Sequence, residues 1–279
     1  MMGRGTRVVA VVGIDGSGKT SVIRRFIELS PSGQGRVATM TCPKYHETPN
    51  VPFHALSRQL DALSRAGDEL SSFEIKATAM YLQMTLYGAV QRFLVDSYQP
   101  RFILSEHHAV VDTLAYGAFY TRMVQKGVSQ KEYEAPLLAR LGKQALEDII
   151  RWHEAESERT GERIPFWDIA PRVADLLKEP PGKVIPELER RYRASLPDVV
   201  LVLDVTPEMA ISRLAARGDV QGEVHENPVF LEQLRRCYQE LAGYLIRERP
   251  EVQTHVINAS ASESIDGTLR EVMRRSGIA

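Results

Sequence analysis

The chain has 279 residues, 43 % of them hydrophobic, which fits one large α/β domain carrying an inserted subdomain better than two independent domains. Thirty-five basic residues against thirty-six acidic ones leave a formal net charge of −1, so no global field draws the chain to a nucleic-acid polymer or a membrane surface. Cys42 and Cys237 have no partners at metal-ligand spacing and no run is long enough to span a bilayer, which argues against a disulfide framework, a zinc site and a membrane anchor; a soluble cytoplasmic protein without a signal peptide is expected.

Arg7 to Val12 is an apolar, β-branched run of the length a buried parallel strand needs. It feeds directly into Gly13-Ile14-Asp15-Gly16-Ser17-Gly18-Lys19-Thr20, which matches the phosphate-binding pattern G-x-x-x-x-G-K-[ST] at every fixed position. Gly13, Gly16 and Gly18 permit turns with positive φ and bring bare N–H groups against phosphate oxygens. Lys19 reaches the β- and γ-phosphates, the Thr20 hydroxyl suits Mg²⁺, and Asp15 and Ser17 fill variable positions of the same loop. Ser21 to Leu29 carries apolar residues at helical spacing, so strand, glycine loop and helix N-terminus together make an anion site.

Ser30 to Gly35 is turn chemistry, and Arg36 to Thr41 reads as the second strand. Residues 42–50 form a loop leaving its C-terminal end, where an open parallel sheet lines its ligand crevice. Lys44 there is either a contact for an acceptor phosphate or a solvated loop lysine. From Phe53 to Val95 the pattern is helical, with a break expected at Gly67-Asp68 and a second piece opened by Ser72 without a full capping box. Met80, Tyr81, Met84, Leu86, Tyr87, Val90 and Leu94 make an apolar stripe that is mostly core. Gln83 differs, because a buried amide needs a partner and can hydrogen-bond a base edge at two atoms.

Gln99-Pro100 stops the helix, and Arg101 to Ser105 is a third strand delivering Glu106-His107-His108 to its C-terminal end. A carboxylate beside the phosphate loop can act on Mg²⁺ or as general base on an attacking hydroxyl; the plainer reading is an exposed cap of the next helix. Adjacent side chains leave a strand in opposite directions, so Glu106, His107, His108 and Asp112 need not converge on a metal, and one histidine is expected to be packed. Between Tyr120 and Leu196, Lys131 to Glu158 reads as an amphipathic helix, Ile164 to Asp168 as an aromatic loop, Lys178 to Gly182 as a stiff turn and Pro186 to Ala194 as a short helix. Arg190, Arg191 and Arg193 read as a solvated helix face. Pro197 to Val205 is a fourth buried strand, after which Thr206 as N-cap and Pro207 at the first position start a helix bearing Arg213 and Arg217. Arg217 to Pro228 is a polar, glycine-punctuated segment able to close as a lid, followed by a helix from Val229 to Glu248, a fifth strand from Val252 to Ile257 and a final helix.

Strands alternating with helices, the first carrying the phosphate loop, predict a three-layer α/β P-loop domain over residues 1–279 with a five-stranded parallel sheet, a helical insertion at about 120–195 and a lid at about 217–228. Gly13 to Thr20 resembles the phosphate loop of the thymidylate kinase family. Residues 103–116 resemble that family's strand end with its following helix, residues 196–218 its fourth strand and arginine-bearing helix, and Ile257-Asn258-Ala259-Ser260 its adenine-side loop. The resemblance implies ATP as donor with Mg²⁺ on Thr20 and Glu106, and a homodimer. It places Arg213, Asn258 and Ala259 beside adenine, Asp15 near the acceptor sugar and Lys44 or Tyr45 near the acceptor phosphate, with Tyr81 on the base-reading helix. Lys19, Glu106 and the lid's Arg217 would carry catalysis on a nucleoside monophosphate such as dTMP. The sequence departs where the family has Asp-Arg, since Glu106-His107 puts a histidine in place of an always-charged clamp. A strand-end Glu together with Gln83 resembles the deoxynucleoside kinases instead, whose acceptor is a 5′-hydroxyl and whose Glu is the base. A third class, a nucleotide-binding switch with little catalysis, stays open because the basic inventory around the phosphates is thin.

Overall fold

The computed structural model describes residues 5–29, 37–124, 130–216, 228–260 and 264–278. Its strands are β1 (Arg7–Val12), β2 (Val37–Thr41), β3 (Phe102–Glu106), β4 (Val199–Asp204) and β5 (Gln253–Asn258). The helices are α1 (Lys19–Leu29), α2 (His54–Glu69), α3 (Phe73–Thr85), α4 (Tyr87–Tyr98), α5 (Ala109–Met123), α6 (Gln130–Leu141), α7 (Lys143–Thr160), α8 (Ile169–Leu176), α9 (Pro181–Tyr192), α10 (Pro207–Ala216), α11 (Pro228–Glu248) and α12 (Ile265–Ser276). The chain divides into two compact units, one built from Met1–Thr41, Leu94–Ala115 and Leu196–Ala279, the other from Cys42–Phe93 and Tyr116–Ser195.

The first unit holds the sheet, with all strands parallel in the order β2-β3-β1-β4-β5. The five-stranded parallel sheet is therefore as expected, with β1 at its centre. Val9, Val11, Leu104, Leu201 and Leu203 point to one face and pack with Val22, Ile23 and Phe26 of α1 and Leu269 and Val272 of α12. The alternate residues Val8, Ala10, Val12, Ile103, Val200 and Val202 are buried as well, and α11 packs on β4 and β5. A sheet covered on both faces needs apolar side chains in both directions, which is why its strands read as continuous hydrophobic runs. Strand limits shift by a residue or two from the expected ones; β3 runs on to Glu106 because that residue still pairs with Val11 of β1.

The second unit is helical, and three expectations for it are corrected. Gly67 does not break a helix but lies inside α2, where a Cβ would stand 2.9 Å from the Lys76 nitrogen; the glycine lets α2 and α3 approach closely. The break comes at residues 70–72, where the Ser72 hydroxyl caps α3 by accepting the Ile75 N–H at 3.3 Å. The single helix expected over Lys131 to Glu158 is two, α6 and α7, divided at Gly142 with its φ of 79°. The stiff turn at Lys178 to Gly182 contains the start of α9, with Pro181 in the first turn where a missing N–H costs nothing, and α8 is a helix that no sequence signal announced.

Candidate functional site

In the first unit β1 runs into the glycine loop and the loop into α1 at Lys19. Gly13, Gly16 and Gly18 take φ of 145°, 76° and 98°. At Gly13 a Cβ would lie 2.6 Å from the Leu203 carbonyl oxygen and at Gly16 2.5 Å from that of Ala210, so the fold itself crowds these two positions. At Gly18 the nearest such neighbour is Arg213 Nη1 at 4.0 Å, which leaves its approach open. Lys19 is only 5 % exposed; its Nζ donates to the Gly13 and Ile14 carbonyls, both at 2.9 Å, and lies 3.9 Å from Asp15 Oδ1. Ser17 Oγ is buried and makes no hydrogen bond among the described residues. A buried hydroxyl left unsatisfied beside a lysine that has only loop carbonyls to bond fits a loop that receives anionic oxygens.

The register Val11↔Glu106 sets the strand-end carboxylate next to the start of this loop. Thr20 Oγ1 donates to Glu106 Oε1 at 2.5 Å, across 86 residues of sequence. Glu106 Oε2 has no partner among the described residues. Glu106 is 7 % exposed, so the reading as an exposed helix cap is corrected: a β3 position paired with the central strand is covered by its neighbours. A threonine hydroxyl and a carboxylate converging beside a phosphate loop are hard oxygen donors of the kind Mg²⁺ takes, usually with water and substrate phosphates completing its shell. Among the described residues no group of three or more His, Cys, Asp or Glu is placed to hold a metal by itself.

His107 turns the chain out of the sheet in the left-handed region, at φ 65°, which costs an L residue about 1–2 kcal/mol. Its N–H donates to the Val11 carbonyl at 3.0 Å, and its own carbonyl accepts from Ser105 Oγ at 2.6 Å. Its ring donates from Nδ1 to Asp112 Oδ1 at 2.6 Å. Asp112, in the first turn of α5 and 1 % exposed, also accepts the His108 N–H on Oδ2 at 2.5 Å and the Tyr238 hydroxyl on Oδ1. Burial pushes the Asp112 carboxyl up, but the charge and hydrogen bond of His107, with those of Tyr238 and the His108 N–H, outweigh it and hold the group below the usual carboxylate range. The packed histidine of the pair is His108, which is fully buried.

On the other side of the loop Arg213 Nη2 donates to the Ala259 carbonyl at 2.9 Å and Nη1 to that of Ser17 at 3.4 Å. Asn258 Oδ1 accepts the Ser260 N–H at 3.1 Å, shaping the turn after β5. A cavity of about 610 Å³ opens here, lined among others by Ser17, Gly18, Ser21, Arg213, Ser264 and Thr268. Lys19, Thr20, Glu106 and Arg213 are thus brought to one loop. Arg217, and with it residues 217–227 of the expected lid, lies outside the described residues.

The remaining acceptor-side candidates belong to the helical unit. Lys44 is exposed. Tyr45 is a correction: it has no exposed surface and its hydroxyl donates to Cys42 Sγ at 3.2 Å, because a short 3₁₀ turn over Tyr45–Glu47 folds the ring inward. Tyr81 is buried against Tyr192, ring centroids 5.8 Å apart, and burial raises its hydroxyl pKa against the opposing charge of Arg191. Gln83 is 4 % exposed, and its side-chain amide makes no hydrogen bond among the described residues. The solvated face expected of Arg190, Arg191 and Arg193 is corrected for Arg191, which is buried, whereas Arg190 is exposed as expected. Arg191 falls on the stripe of α9 that buries Val184, Leu188 and Tyr192, and donates to Glu187 at 2.6 Å and Glu162 at 2.8 Å. Neither Tyr238 nor the buried role of Arg191 was visible as a sequence motif; only the i, i+4 step from His108 to Asp112 hinted at a carboxylate turned back on its own strand end.

No protein-family model matches the chain. Two solved structures align with it along nearly its whole length, both of deoxyadenosine kinase from M. mycoides. One, with the products dCMP and a flexible dCDP bound, is 12 % identical with a TM-score of 0.46 and covers 98 % of this chain and 100 % of its own. The other, with dATP bound, is 12 % identical with a TM-score of 0.43 and covers 97 % of this chain and 99 % of its own.

Proposed function

We propose that this chain is an ATP- and Mg²⁺-dependent phosphotransferase whose acceptor is a hydroxyl group of a nucleoside-type small molecule. The observation that carries this reading is the Thr20–Glu106 contact at 2.5 Å beside a phosphate loop with an unsatisfied buried hydroxyl. Glu106 offers one oxygen to Thr20 and has a second without a partner among the described residues, so one carboxylate can serve both sides of the transfer. The Oε2 side takes the proton of the attacking hydroxyl, whose oxygen bonds to the γ-phosphorus while the bond to the β-phosphate oxygen breaks and ADP leaves. Thr20 and the Oε1 side of Glu106 would hold Mg²⁺, which would supply charge neutralisation for the triphosphate. Lys19 and the loop amides stabilise the transferred phosphoryl group, and Arg213 with Ala259 and Asn258 borders the donor base. Gln83 is our candidate for hydrogen-bonding the acceptor's base, since an amide offers both a donor and an acceptor to a base edge.

A nucleoside monophosphate, the acceptor that the thymidylate kinase resemblance implies, is the second reading, and the exposed Lys44 on the loop after β2 favours it. Against it, the strand end carries His107 rather than an always-charged, two-pronged arginine. A homodimer and a cytoplasmic location belong to the same proposal; sedimentation equilibrium reads the first.

The test is ADP release with ATP and Mg²⁺ across nucleosides and nucleoside monophosphates. Turnover with nucleosides, lost in Glu106→Gln, is the expected result. Turnover only with monophosphates moves the assignment to the second reading, and a blank panel with tight ATP binding moves it to a nucleotide-binding switch.

A further inference from the structure

The proposed transfer gives no role to Thr268, in the first turn of α12. This residue is 6 % exposed and lines the cavity of about 610 Å³ that begins at Ser17 and Gly18 and continues between α1 and α12. A threonine inside a helix commonly turns its hydroxyl back on the carbonyl four residues earlier. Here that carbonyl, of Ser264, already accepts the N–H groups of Gly267 at 3.1 Å and Thr268 at 3.3 Å, and the Thr268 hydroxyl makes no hydrogen bond among the described residues. What remains exposed of this side chain faces the cavity, so its hydroxyl is offered to whatever enters there.

We propose that Thr268 is a binding residue for the phosphoryl donor and hydrogen-bonds the edge of its nucleobase. Two features of the cavity fix what reaches the hydroxyl. Its near end is the phosphate loop itself, so a nucleoside triphosphate held by its phosphates has its sugar and base to place in the same space. Its wall includes Arg213, whose Nη2 donates to the Ala259 carbonyl at 2.9 Å and whose Nη1 donates to that of Ser17 at 3.4 Å. Anchored through both Nη atoms, the guanidinium keeps one plane, and a flat cation on a cavity wall stacks on a flat ring. A ring stacked on Arg213 turns its edge to the other walls. A hydroxyl both donates and accepts, which suits an edge such as that of adenine, where ring nitrogens accept and the 6-amino group donates. Arg25 of α1 grips Asp266, two residues before Thr268, at 2.7 and 3.4 Å, and so ties the two helices that flank the cavity. A site braced in this way needs little reordering when a base enters. The inference rests on the proposed use of ATP and adds which side chain reads its base.

Thr268→Val removes the hydroxyl and keeps the shape. Because the hydroxyl has no protein partner among the described residues, this variant should melt without nucleotide at the native temperature or above it. Affinity should move the other way. In isothermal titrations of the full chain with Mg²⁺ present, ATP should bind about three- to tenfold more weakly to Thr268→Val, the loss of one hydrogen bond. Inorganic tripolyphosphate, which carries the phosphates without a nucleoside, should bind the native and variant chains equally. The analogue 2′,3′-dideoxy-ATP, which has the base but neither sugar hydroxyl, should lose the same factor as ATP. Thr268→Ser keeps the hydroxyl and should bind ATP as the native chain does, and Thr268→Ala takes the place of the valine variant if that one does not fold.

Equal ATP affinity in the native and Thr268→Val chains overturns the inference, and so does a serine variant as weak as the valine one. A loss shared by tripolyphosphate, together with a lower melting temperature, overturns it too, because the residue then shapes the loop instead of meeting the base. A loss seen with ATP but not with the dideoxy analogue assigns the hydroxyl to the sugar and overturns the contact with the base. A native chain that does not bind ATP refutes the proposed function as a whole. ATP binding without transfer to any acceptor refutes the transfer alone, and the titrations then still decide the Thr268 contact.

Discussion

The three glycines of the phosphate loop look equivalent in the motif, yet the structure separates them by what surrounds each. At Gly16 an added Cβ would stand 2.5 Å from the Ala210 carbonyl oxygen and 2.9 Å from two further backbone atoms of α10, at a φ of 76°. Neither partner is the tip of a flexible side chain, so the clash is relieved only by moving a helix. The left-handed backbone costs an alanine about 1–2 kcal/mol and overpacking about 1–3 kcal/mol, together about 2–5 kcal/mol. At about 2–4 °C per kcal/mol for a chain of this order of size, Gly16→Ala should melt about 4–20 °C lower than the native protein. Gly18, at φ 98° with nothing nearer than 4.0 Å, carries only the backbone term, and its variant should melt about 2–8 °C lower. Its cost falls on the ligand, because the methyl group stands where bare amides meet phosphate, and ATP affinity should drop by at least roughly tenfold. The assay is a thermal melt without nucleotide, followed by titration with a fluorescent ATP analogue. A Gly16→Ala melt equal to that of the native protein refutes the reasoning, and so does a Gly18→Ala variant that loses stability but binds ATP normally.

Three further outcomes follow from single contacts. Lys19→Ala removes the cation from the loop and should abolish turnover while the far-ultraviolet circular dichroism stays native, since the lysine's partners, two carbonyls and Asp15, all belong to the loop itself; retained turnover would sink the catalytic assignment. Gln83→Leu exchanges a buried amide without a partner for an apolar side chain of similar size. Its melting temperature should hold or rise while the acceptor KM rises; a clear loss of stability would show that the amide is structurally bonded. Hydrogen bonds from Arg190 and Arg191, outweighing its burial, hold the Glu187 carboxyl at about 2. A depressed carboxylate contributes stability above its unfolded pKa and loses it as pH falls through the folded one. Glu187→Gln should therefore unfold more readily than the native chain near neutral pH, by about 1.5–3 kcal/mol for the weakened charged hydrogen bonds with Arg191 left to pair with Glu162, and the gap should narrow as denaturant titrations move from about pH 4.5 toward pH 2. A gap independent of pH over that range would assign the loss to packing alone.

The parts of the fold and site legible in the sequence are those whose chemistry is local. Gly13 to Thr20 needs positive φ, small size and a lysine within eight consecutive residues, so the phosphate loop could be read directly. Three apolar runs announced the central strands β1, β3 and β4, because strands buried on both faces have no polar alternation to disguise them, while the edge strands β2 and β5 carry more polar, partly exposed residues. Close approaches between elements left no such trace: Gly67 looked like a helix break and proved to be a contact surface for α3, and Arg191 looked solvated until α9 showed which stripe it buries. Whether a glycine is a hinge or a contact, and an arginine a surface or a core residue, depends on neighbours distant in the chain.

The sequence by itself therefore determined the phosphate loop, the alternation of strand and helix, and the candidate status of Glu106 and Gln83. Only the tertiary structure decided that Glu106 meets Thr20 across 86 residues and that Tyr238 meets Asp112 across 126. It also decided that the hydroxyl of Tyr45 turns inward onto Cys42. The physical reason is range. Backbone preferences and side-chain chemistry act within a few residues and leave a pattern, whereas these contacts are set by strand order and register, which place β3 beside β1 and bring α11 to the start of α5.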